Sequence, residues 1–324
     1  MKNQYFGDIN DYFKYGMLRA FGRELSIAVI WMMTPDDGSR DGRKLEYLDH
    51  EGRRSHDPEL FDWLRAWKRA GTVRDVRLIE ESGLLTNCRF FNEVVPEGVA
   101  ARAEWFARAR EFARGADLVF VDPDNGLPVK SVRPGTQKFP KFVAMEELQA
   151  LYEDGHSLLI YQHTARTSRR DLIRAKLKDL YEAFEIEHFT SLFAWDWVAF
   201  LVTNAGRELE LGKATDRIMV EWATGIHVAN NVVIPVSATP AEIKARPERA
   251  FRKRLTRLTT EIGFINRNRQ EVVRKTDLPG TDHGQRIYVL RCGACETEYG
   301  TNGSTIYLAK CPSCQQGAAG LPFV

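Results

Sequence analysis

Four cysteines near the carboxyl end of the chain form the clearest pattern that could do chemistry. They are two Cys-x-x-Cys pairs separated by fifteen residues, Cys292 with Cys295 and Cys311 with Cys314. Glycine in the first turn and proline in the second favour tight knuckles that direct two thiolates at one point. Four converging thiolates complete the tetrahedral shell of a structural zinc ion. The spacing therefore predicts a zinc ribbon, and disulfides are the disfavoured alternative because the first residues lack the apolar run of a secretion signal.

A second group of polar residues follows a predicted buried strand. The apolar run at 117–121 leads directly into Asp122, Asp124 and Asn125, with a proline between the two acids and a glycine after the amide. Such residues can form a plain turn. Ligand sites of open α/β sheets, however, lie at the carboxyl ends of strands. We therefore interpret this loop as part of an active site.

Two further predicted strands end in comparable residues. The run at 157–161 is followed by Gln-His, so that His163 could carry protons in the same cleft, although a lone histidine is more often structural. The run at 26–33 leads into a Thr-Pro-Asp-Asp-Gly sequence. Its candidate ligand-binding residues are Thr34, Asp36, Asp37 and Gly38.

Strands alternate with amphipathic helices along the first two thirds of the chain, which predicts an α/β fold with a Rossmann-like, mostly parallel sheet. The predicted strands are 26–33, 76–79, 88–91, 117–121, 157–161, 185–190 and 197–203, the last of them antiparallel. The predicted helices are the later part of 1–23, 58–70, 97–114, 145–153 and 168–183. Within the ribbon, residues 305–308 are β-rich.

The composition divides the chain into three segments. We predict a Rossmann-like catalytic domain at 1–205, a bridge at 206–237, and a module at 238–324 that joins a basic helix to the zinc ribbon. Apolar residues make up 44% of the chain and charged residues 28%, which excludes wholesale disorder. No apolar run approaches the ~18 residues of a membrane span, so we expect a cytoplasmic protein that is not bound to a membrane.

Positive charge is concentrated at the start of the third segment. Residues 244–275 contain eleven basic and three acidic side chains, a net +8, whereas the whole chain carries only +2. A basic segment on an otherwise acidic chain predicts a nucleic-acid partner, DNA or RNA. A solvated helix face and protein docking by the ribbon are the alternatives. The candidate contacts are Arg252, Lys253, Arg254, Arg257, Arg267, Arg269, Arg274 and Lys275.

Three segments of the first domain together resemble the Rossmann-like S-adenosylmethionine-dependent methyltransferases, in particular the ribosomal-RNA adenine methyltransferases. They are the Gly-Asp…Lys helix at 7–14, the loop at 31–38 and the Asp-Pro-Asp-Asn loop at 122–125. The resemblance covers roughly residues 1–205. It departs from the family at Asp124 and Asn125, where the family has a proline and an aromatic residue. The sequence also resembles a group of bacterial proteins that open with Lys-Asn-Gln-Tyr-Phe-Gly-Asp and carry Thr-Pro-Asp-Asp-Gly, Asp-Pro-Asp-Asn-Gly and Tyr-Gln-His.

The resemblance implies S-adenosylmethionine as a cofactor and an amine of a flipped base as the methyl acceptor. Asp122 and Asn125 would orient that acceptor. The residues that the resemblance places near the cofactor are Gly7, Asp8, Lys14, Thr34, Asp36, Asp37 and Gly38.

Two other functions remain open from the sequence. The acids at 36, 37, 41, 122 and 124 offer the hard oxygen ligands that Mg²⁺ prefers, which would suit a nuclease or phosphoesterase. A nucleic-acid-binding protein without catalytic activity would keep the same fold and the same basic segment.

Overall fold

The computed structural model describes most of the chain in two compact units, Met1–Val233 and Ile234–Val324. The described residues are 1–39, 41–129, 131–164, 168–186, 188–194, 196–233, 260, 262–266, 268–281 and 286–323. The predicted basic helix of the second module lies outside them.

A seven-stranded sheet forms the centre of the first unit, in the order β2-β1-β3-β4-β6-β5-β7. The strands are β1 Ile27–Ile30, β2 Cys88–Phe91, β3 Leu118–Val121, β4 Ser157–His163, β5 His188–Phe193, β6 Trp197–Val202 and β7 His227–Val232. Strands β2, β1, β3 and β4 pair in parallel, whereas β6 is antiparallel to both β4 and β5, and β7 is antiparallel to β5. The predicted α/β class with a mostly parallel sheet is confirmed.

Seven helices accompany this sheet in the described part of the first unit. They are α1 Ile9–Gly22, α2 Pro58–Ala70, α3 Arg77–Glu81, α4 Val99–Ala113, α5 Met145–Glu153, α6 Arg169–Phe184 and α7 Glu208–Glu221. Their starts follow local capping chemistry: the side chain of Asp57 accepts a hydrogen bond from Leu60 N at the start of α2, and Ser168 accepts one from Asp171 N at the start of α6.

Both faces of the sheet are buried, which explains why its central strands are continuous apolar runs. One core joins β1, β3 and β4 to α1, α2 and α7, with Trp31, Phe120 and Trp222 among its fully buried side chains. The other core joins the opposite face to α4, α5 and α6. Helix α1 contributes to the first core almost all round, since eleven of its fourteen residues are buried.

Strand order reverses at β1, because β2 lies on one side of it and β3 on the other. Loops that leave the carboxyl ends of β1 and β3 therefore diverge and open a crevice, which is where ligands of such sheets bind. One prediction about an element differs from the structure here, because residues 76–79 enter helix α3 rather than a strand. The predicted bridge contains α7 and β7.

The second unit contains a three-stranded antiparallel sheet in the order β10-β9-β8. Its strands are β8 Gln270–Pro279, β9 Arg286–Cys292 and β10 Glu298–Asn302. A small core of aromatic, aliphatic and cysteine side chains packs beside the sheet. Residues 305–308, predicted as β-rich, form turns instead. Buried Asn266 ties those turns to the strand, because its side-chain nitrogen donates to Ile306 O at 2.7 Å and Ala309 O at 2.8 Å.

Candidate functional site

The reversal point between β1 and β3 brings together residues that are far apart in sequence. Thr34 follows β1 and Asp122 follows β3, and the first residues of the chain lie across both strand ends. The Met1 amino group donates to Met32 O and to Asp122 O, each at 3.1 Å. Thr34 N donates to Met1 O at 2.8 Å. We call this region, where β1 and β3 end, the strand-edge site.

A buried lysine lies beneath the strand-edge site. Lys14 on α1 is 2.8 Å from a carboxylate oxygen of Asp11 and 2.8 Å from one of Asp122. It also lies 4.8 Å from the ring centroid of Tyr161. Burial lowers the pKa of Lys14, but Asp11 and Asp122 outweigh burial and hold it well above its usual value. Asp122 therefore faces inward, neutralising Lys14, and its side chain is only 2% exposed.

The start of α1 adds a further buried carboxylate. Asp8 caps the helix, because its side chain accepts hydrogen bonds from Asn10 N and Asp11 N. Burial, together with the neighbouring charge of Asp11, raises the pKa of Asp8 to about 7. The rise reflects mainly the free-energy cost of burying a charged carboxylate.

Asp124 has a buried carboxylate oxygen that receives no hydrogen bond within the described part of the chain. Its Oδ2 lies 3.5 Å from Lys2 Nζ, 3.5 Å from Thr34 Oγ1 and 3.8 Å from Lys141 Nζ. Its Oδ1 accepts no hydrogen bond from the described residues. Water does not readily reach this atom, because the Asp124 side chain is only 3% exposed. An unpartnered buried carboxylate oxygen is costly, so this atom suits a donor supplied by a ligand.

The turn that carries Asp124 is held by a glutamine on β4. Gln162 accepts from Leu127 N at 2.9 Å and donates to Asn125 O at 2.8 Å. Gly126 has a φ of +105°, and a Cβ there would lie 2.4 Å from the Gln162 side chain. The side-chain amide of Asn125 makes no hydrogen bond within the described part of the chain, so it is free to contact a ligand. His163, at the end of β4, is exposed.

The loop predicted to bind a cofactor is engaged by the N-terminal residues. Asp36 accepts from Gln4 N at 3.0 Å, and Asp37 pairs with Lys2 at 2.5 Å. Gly38 is exposed and has open space around it.

Gly7 lies before helix α1 rather than in the loop at 34–38. It packs against Trp67, where a Cβ would approach the ring to 2.6 Å, and its φ of +76° favours glycine. The structure thus joins Thr34, Asp36 and Asp37 to the strand-edge site, whereas Gly7 and Asp8 build the start of α1.

The predicted acidic metal site is not supported. Asp37, Asp122 and Asp124 each have a lysine amino group within 3.5 Å. Among the residues that the structure describes, only the four cysteines form a group of three or more side chains that could hold a metal ion.

The four cysteines converge as the spacing predicts. Their sulfur atoms all lie within 4.8 Å of one another, with 3.6 Å from Cys292 to Cys314 and 3.6 Å from Cys295 to Cys311. A disulfide would need about 2.05 Å, so the alternative of paired disulfides is excluded. Zinc–sulfur bonds of about 2.3 Å in a tetrahedron separate the sulfurs by about 3.8 Å, and the cluster therefore fits a zinc ion.

Neighbouring polar groups orient these thiols. Gln270 Nε2 lies 3.5 Å from the Cys292 sulfur, and Gln270 is itself held by the hydroxyl of Tyr299 at 3.0 Å. Burial raises the pKa of the Cys292 thiol, but hydrogen bonds from Ala294 and the groups around it outweigh burial and lower the pKa to about 6. The thiolate of Cys292 is therefore accessible at neutral pH, whereas hydrogen bonds with Cys295 and Cys292 raise the pKa of Cys314.

Three of the predicted nucleic-acid contacts are described. Arg269 precedes β8, and Arg274 and Lys275 lie on it; all three are exposed. The others, Arg252, Lys253, Arg254, Arg257 and Arg267, lie outside the described residues.

Sequence reasoning missed the partners that complete the strand-edge site. It did not single out Lys2, Asp11 or the clamping role of Gln162. Asp11 could have been found, because α1 is apolar almost all round and a charged residue within such a helix must be buried and paired. Nothing in the sequence around Lys2 points to its role.

Comparisons with known proteins add weak structural similarities. No family model matches the chain, and no curated protein does. A DUF519 protein from Legionella pneumophila aligns with 9% identity and a TM-score of 0.38, over 70% of this chain and 97% of the other. Human methyltransferase-like protein 13, solved in complex with SAH, aligns with 10% identity and a TM-score of 0.28, over 72% and 98%. Scores this low do not establish a shared fold.

A search of the described residues for membrane spans found no helix with the length and apolar character to cross a bilayer.

Proposed function

We propose that this protein is an S-adenosylmethionine-dependent methyltransferase that acts on an amine of a nucleic-acid base, and that a structural zinc ion holds its C-terminal unit. The observation that carries the first part is the unpartnered Oδ1 of Asp124, buried where β1 and β3 diverge. The sequence resemblance of the three segments at 7–14, 31–38 and 122–125 supports the same reaction.

The strand-edge site lacks a hydrogen-bond donor. Asp122 and Asp124 lie there beside Lys14 and Lys2, and Asp124 Oδ1 has no donor among the described residues. S-adenosylmethionine carries a sulfonium and an ammonium group, and when bound it supplies an electrophilic methyl group.

The chain would contribute to the reaction mainly by alignment. Asp124 Oδ1 would accept a hydrogen bond from the acceptor amine, which holds the nitrogen lone pair toward the methyl group. Asn125 would provide a second polar contact. Gln162 would position Asp124 by holding the turn that carries it. Asp122 would contribute by pairing with the buried Lys14.

Access favours an extruded base. The Asp124 side chain is only 3% exposed, so an amine within a stacked duplex would not reach it. A single strand or a flipped nucleotide would. The free thiols that a zinc site requires are compatible with the reducing cytoplasm.

Methyl transfer can be measured directly. The zinc-loaded full chain is incubated with S-adenosyl-[methyl-³H]methionine and either total RNA or genomic DNA, and tritium is counted in the nucleic acid. We expect incorporation that falls at least 100-fold in Asp124→Ala. Asp154→Asn is the matched control, because Asp154 is an outward-facing acid paired with Arg110, and its activity should equal that of the wild type.

A full rate in Asp124→Ala would contradict the role of this carboxylate. Absence of incorporation into any RNA or DNA, in a protein that binds the cofactor, would contradict the proposed substrate class.

A further inference from the structure

Besides the C-terminal basic segment, two basic stretches lie in the first unit, and both follow strands that end near the strand-edge site. Residues 126–144, after β3, contain four basic and no acidic side chains. Residues 163–178, after β4, contain six basic and one acidic. Together they carry a net +9 on a chain whose total is +2.

The first stretch is a loop that begins and ends at the strand-edge site. Asn125 N donates to Lys141 O at 2.8 Å, and Val143 N donates to Gly126 O at 3.2 Å. Lys141 Nζ approaches Asp124 Oδ2 to 3.8 Å. Any molecule that reaches Asp124 therefore passes beside this loop.

Two buried phenylalanines anchor the end of the loop, and basic side chains of the loop are exposed. Phe139 and Phe142 are buried. The guanidinium of Arg102 lies over the Phe139 ring, donates to Phe142 O at 3.0 Å and forms a buried bidentate pair with Glu147. This support anchors the end of the loop, and Arg133 and Lys138 are exposed.

The second stretch touches the first. Lys176 on α6 donates to Pro128 O of the loop at 2.5 Å, so α6 contacts the loop. Arg170 and Arg174 are exposed one turn apart on this helix. Four exposed cations, Arg133, Lys138, Arg170 and Arg174, thus belong to adjoining segments.

These four cations have no acidic partner in the described part of the chain. Elsewhere in the same unit, exposed arginines are commonly neutralised, as in the pairs of Arg108 with Glu93 and Arg110 with Asp154. A group of unneutralised cations beside a ligand site is the footprint of a polyanion.

We propose that Arg133, Lys138, Arg170 and Arg174 form a basic rim that holds the phosphate backbone of the nucleic-acid strand whose base enters the strand-edge site. The identification of the strand as substrate rests on the proposed function. The rim itself makes the first unit a nucleic-acid-binding surface in its own right. Its contacts are to phosphates, so its binding is strongly salt-dependent and independent of sequence.

The test is the salt dependence of binding to a fluorescein-labelled 20-nucleotide single strand of mixed sequence, as RNA and as DNA, measured by fluorescence anisotropy with the zinc-loaded full chain. Two variants each remove two rim charges, Arg133→Ser with Lys138→Ser and Arg170→Ser with Arg174→Ser. Each should reduce the slope of log K against log salt by about 1.4, since one phosphate contact to a single strand contributes about 0.7. The control removes two exposed cations on α2 and α7, Arg69→Ser with Lys213→Ser, and should leave the slope unchanged.

Equal slopes for wild type and both rim variants would overturn the proposal, as would the absence of strand binding by the wild type. The proposal would also be overturned if the rim variants bound the oligonucleotides as the wild type does but lost binding to phosphatidylserine vesicles. Reduced slopes without any methyl transfer would support the rim and contradict the proposed reaction. Methyl transfer with unchanged slopes would support the proposed reaction and contradict the rim. All variants should unfold at the wild-type temperature, because the substituted side chains are exposed.

Discussion

The strand-edge site and the cysteine cluster both gather groups that repel one another when they are ionised, but they relieve the repulsion differently. At the strand-edge site the chain supplies its own cations, and Lys14 lies 2.8 Å from both Asp11 and Asp122. At the cysteine cluster the neighbours of the sulfurs are neutral groups, such as the amide of Gln270.

This difference explains which site can take a metal ion. A divalent cation at the strand-edge site would have to displace lysines that are already paired and buried. The four sulfurs lie at metal-binding separations and gain a counter-charge only from an added cation. Acidic residues in a sequence therefore indicate a metal site only when the chain does not neutralise them itself.

Loss of one zinc ligand should have the largest effect. Cys311 is fully buried in the core of the second unit, and its change to serine should abolish zinc binding and unfold that unit, since structural zinc contributes about 10 kcal/mol or more to such folds. Zinc content by mass spectrometry of the metal and amide NMR dispersion report both effects. Cys88→Ser is the control, because Cys88 lies on β2 outside the cluster. If the Cys311→Ser protein retained one zinc per chain and its folded NMR signals, the claim that the four cysteines hold a structural zinc would be contradicted.

Removal of the buried lysine should have the next largest effect. Lys14→Met leaves Asp11 and Asp122 without their counter-charge, which should cost about 3–5 kcal/mol of the free energy of unfolding. At about 2–4 °C per kcal/mol for a unit of this size, the melting temperature should fall by about 10 °C. The exposed pair of Lys44 with Asp196 provides the control, and Lys44→Met should change the free energy of unfolding by at most about 1 kcal/mol.

A double variant separates charge from packing in this experiment. Lys14→Met with Asp122→Asn removes one of the stranded charges and should recover part of the lost melting temperature. If the double variant is as unstable as the sum of both single changes, Lys14 does not act by neutralising Asp122.

The clamped turn should be sensitive to one methyl group. Gly126→Ala adds a Cβ that would lie 2.4 Å from Gln162, at a φ of +105°, and should destabilise the unit by about 1–3 kcal/mol. Gly115→Ala imposes the same chemical change at a φ of +79° where nothing lies within 4 Å, so it reports backbone strain alone. The difference between their melting temperatures measures the Gln162 contact. Equal effects in the two variants would mean that Gln162 does not hold the turn.

The burial of Asp8 should appear in the pH dependence of stability. The pKa of Asp8 is raised to about 7 by burial and by Asp11, from about 4 in the unfolded chain. Between these values the folded state holds a proton that the unfolded state has released, so this contribution to stability falls as pH rises from about 4 to about 7.

Asp8→Asn keeps a capping oxygen and removes the titration. Its melting temperature should therefore decline a few degrees less than that of the wild type between pH 5 and pH 8. Asp57→Asn, at the cap of α2, is the matched control and should decline as the wild type does. Parallel curves for Asp8→Asn and wild type would contradict a raised pKa of Asp8.

Local patterns in the sequence were sufficient to predict most of the first unit. Continuous apolar runs identified β1, β3 and β4, and an amphipathic pattern that begins with proline gave the bounds of α2 at 58–70. The run at 76–79 was mistaken for a strand because four residues are too few to distinguish the helical from the alternating pattern. Residues 305–308 have β propensity, but buried Asn266 fixes them as turns.

The two sites were predictable to different degrees for a physical reason. Each cysteine pair carries its geometry in its own spacing, so the metal cluster could be found from sequence alone. The strand-edge site depends on contacts between distant residues, such as Lys14 with Asp122 and Lys2 with Asp37. Sequence located the carboxylates and named Lys14 as a cofactor contact, but it did not predict that Lys14 and Lys2 neutralise those carboxylates, and it therefore left a magnesium site open.

Thermal unfolding of the zinc-loaded full chain with S-adenosylmethionine, and separately with magnesium chloride, tests the central claim most directly. We predict that S-adenosylmethionine stabilises the first unit, by about 2.7 kcal/mol at 100 times its dissociation constant. This stabilisation should be lost in Asp36→Ala, because Asp36 is a predicted cofactor contact, and magnesium should have no effect. Stabilisation by magnesium alone, lost in Asp122→Ala, would contradict the account.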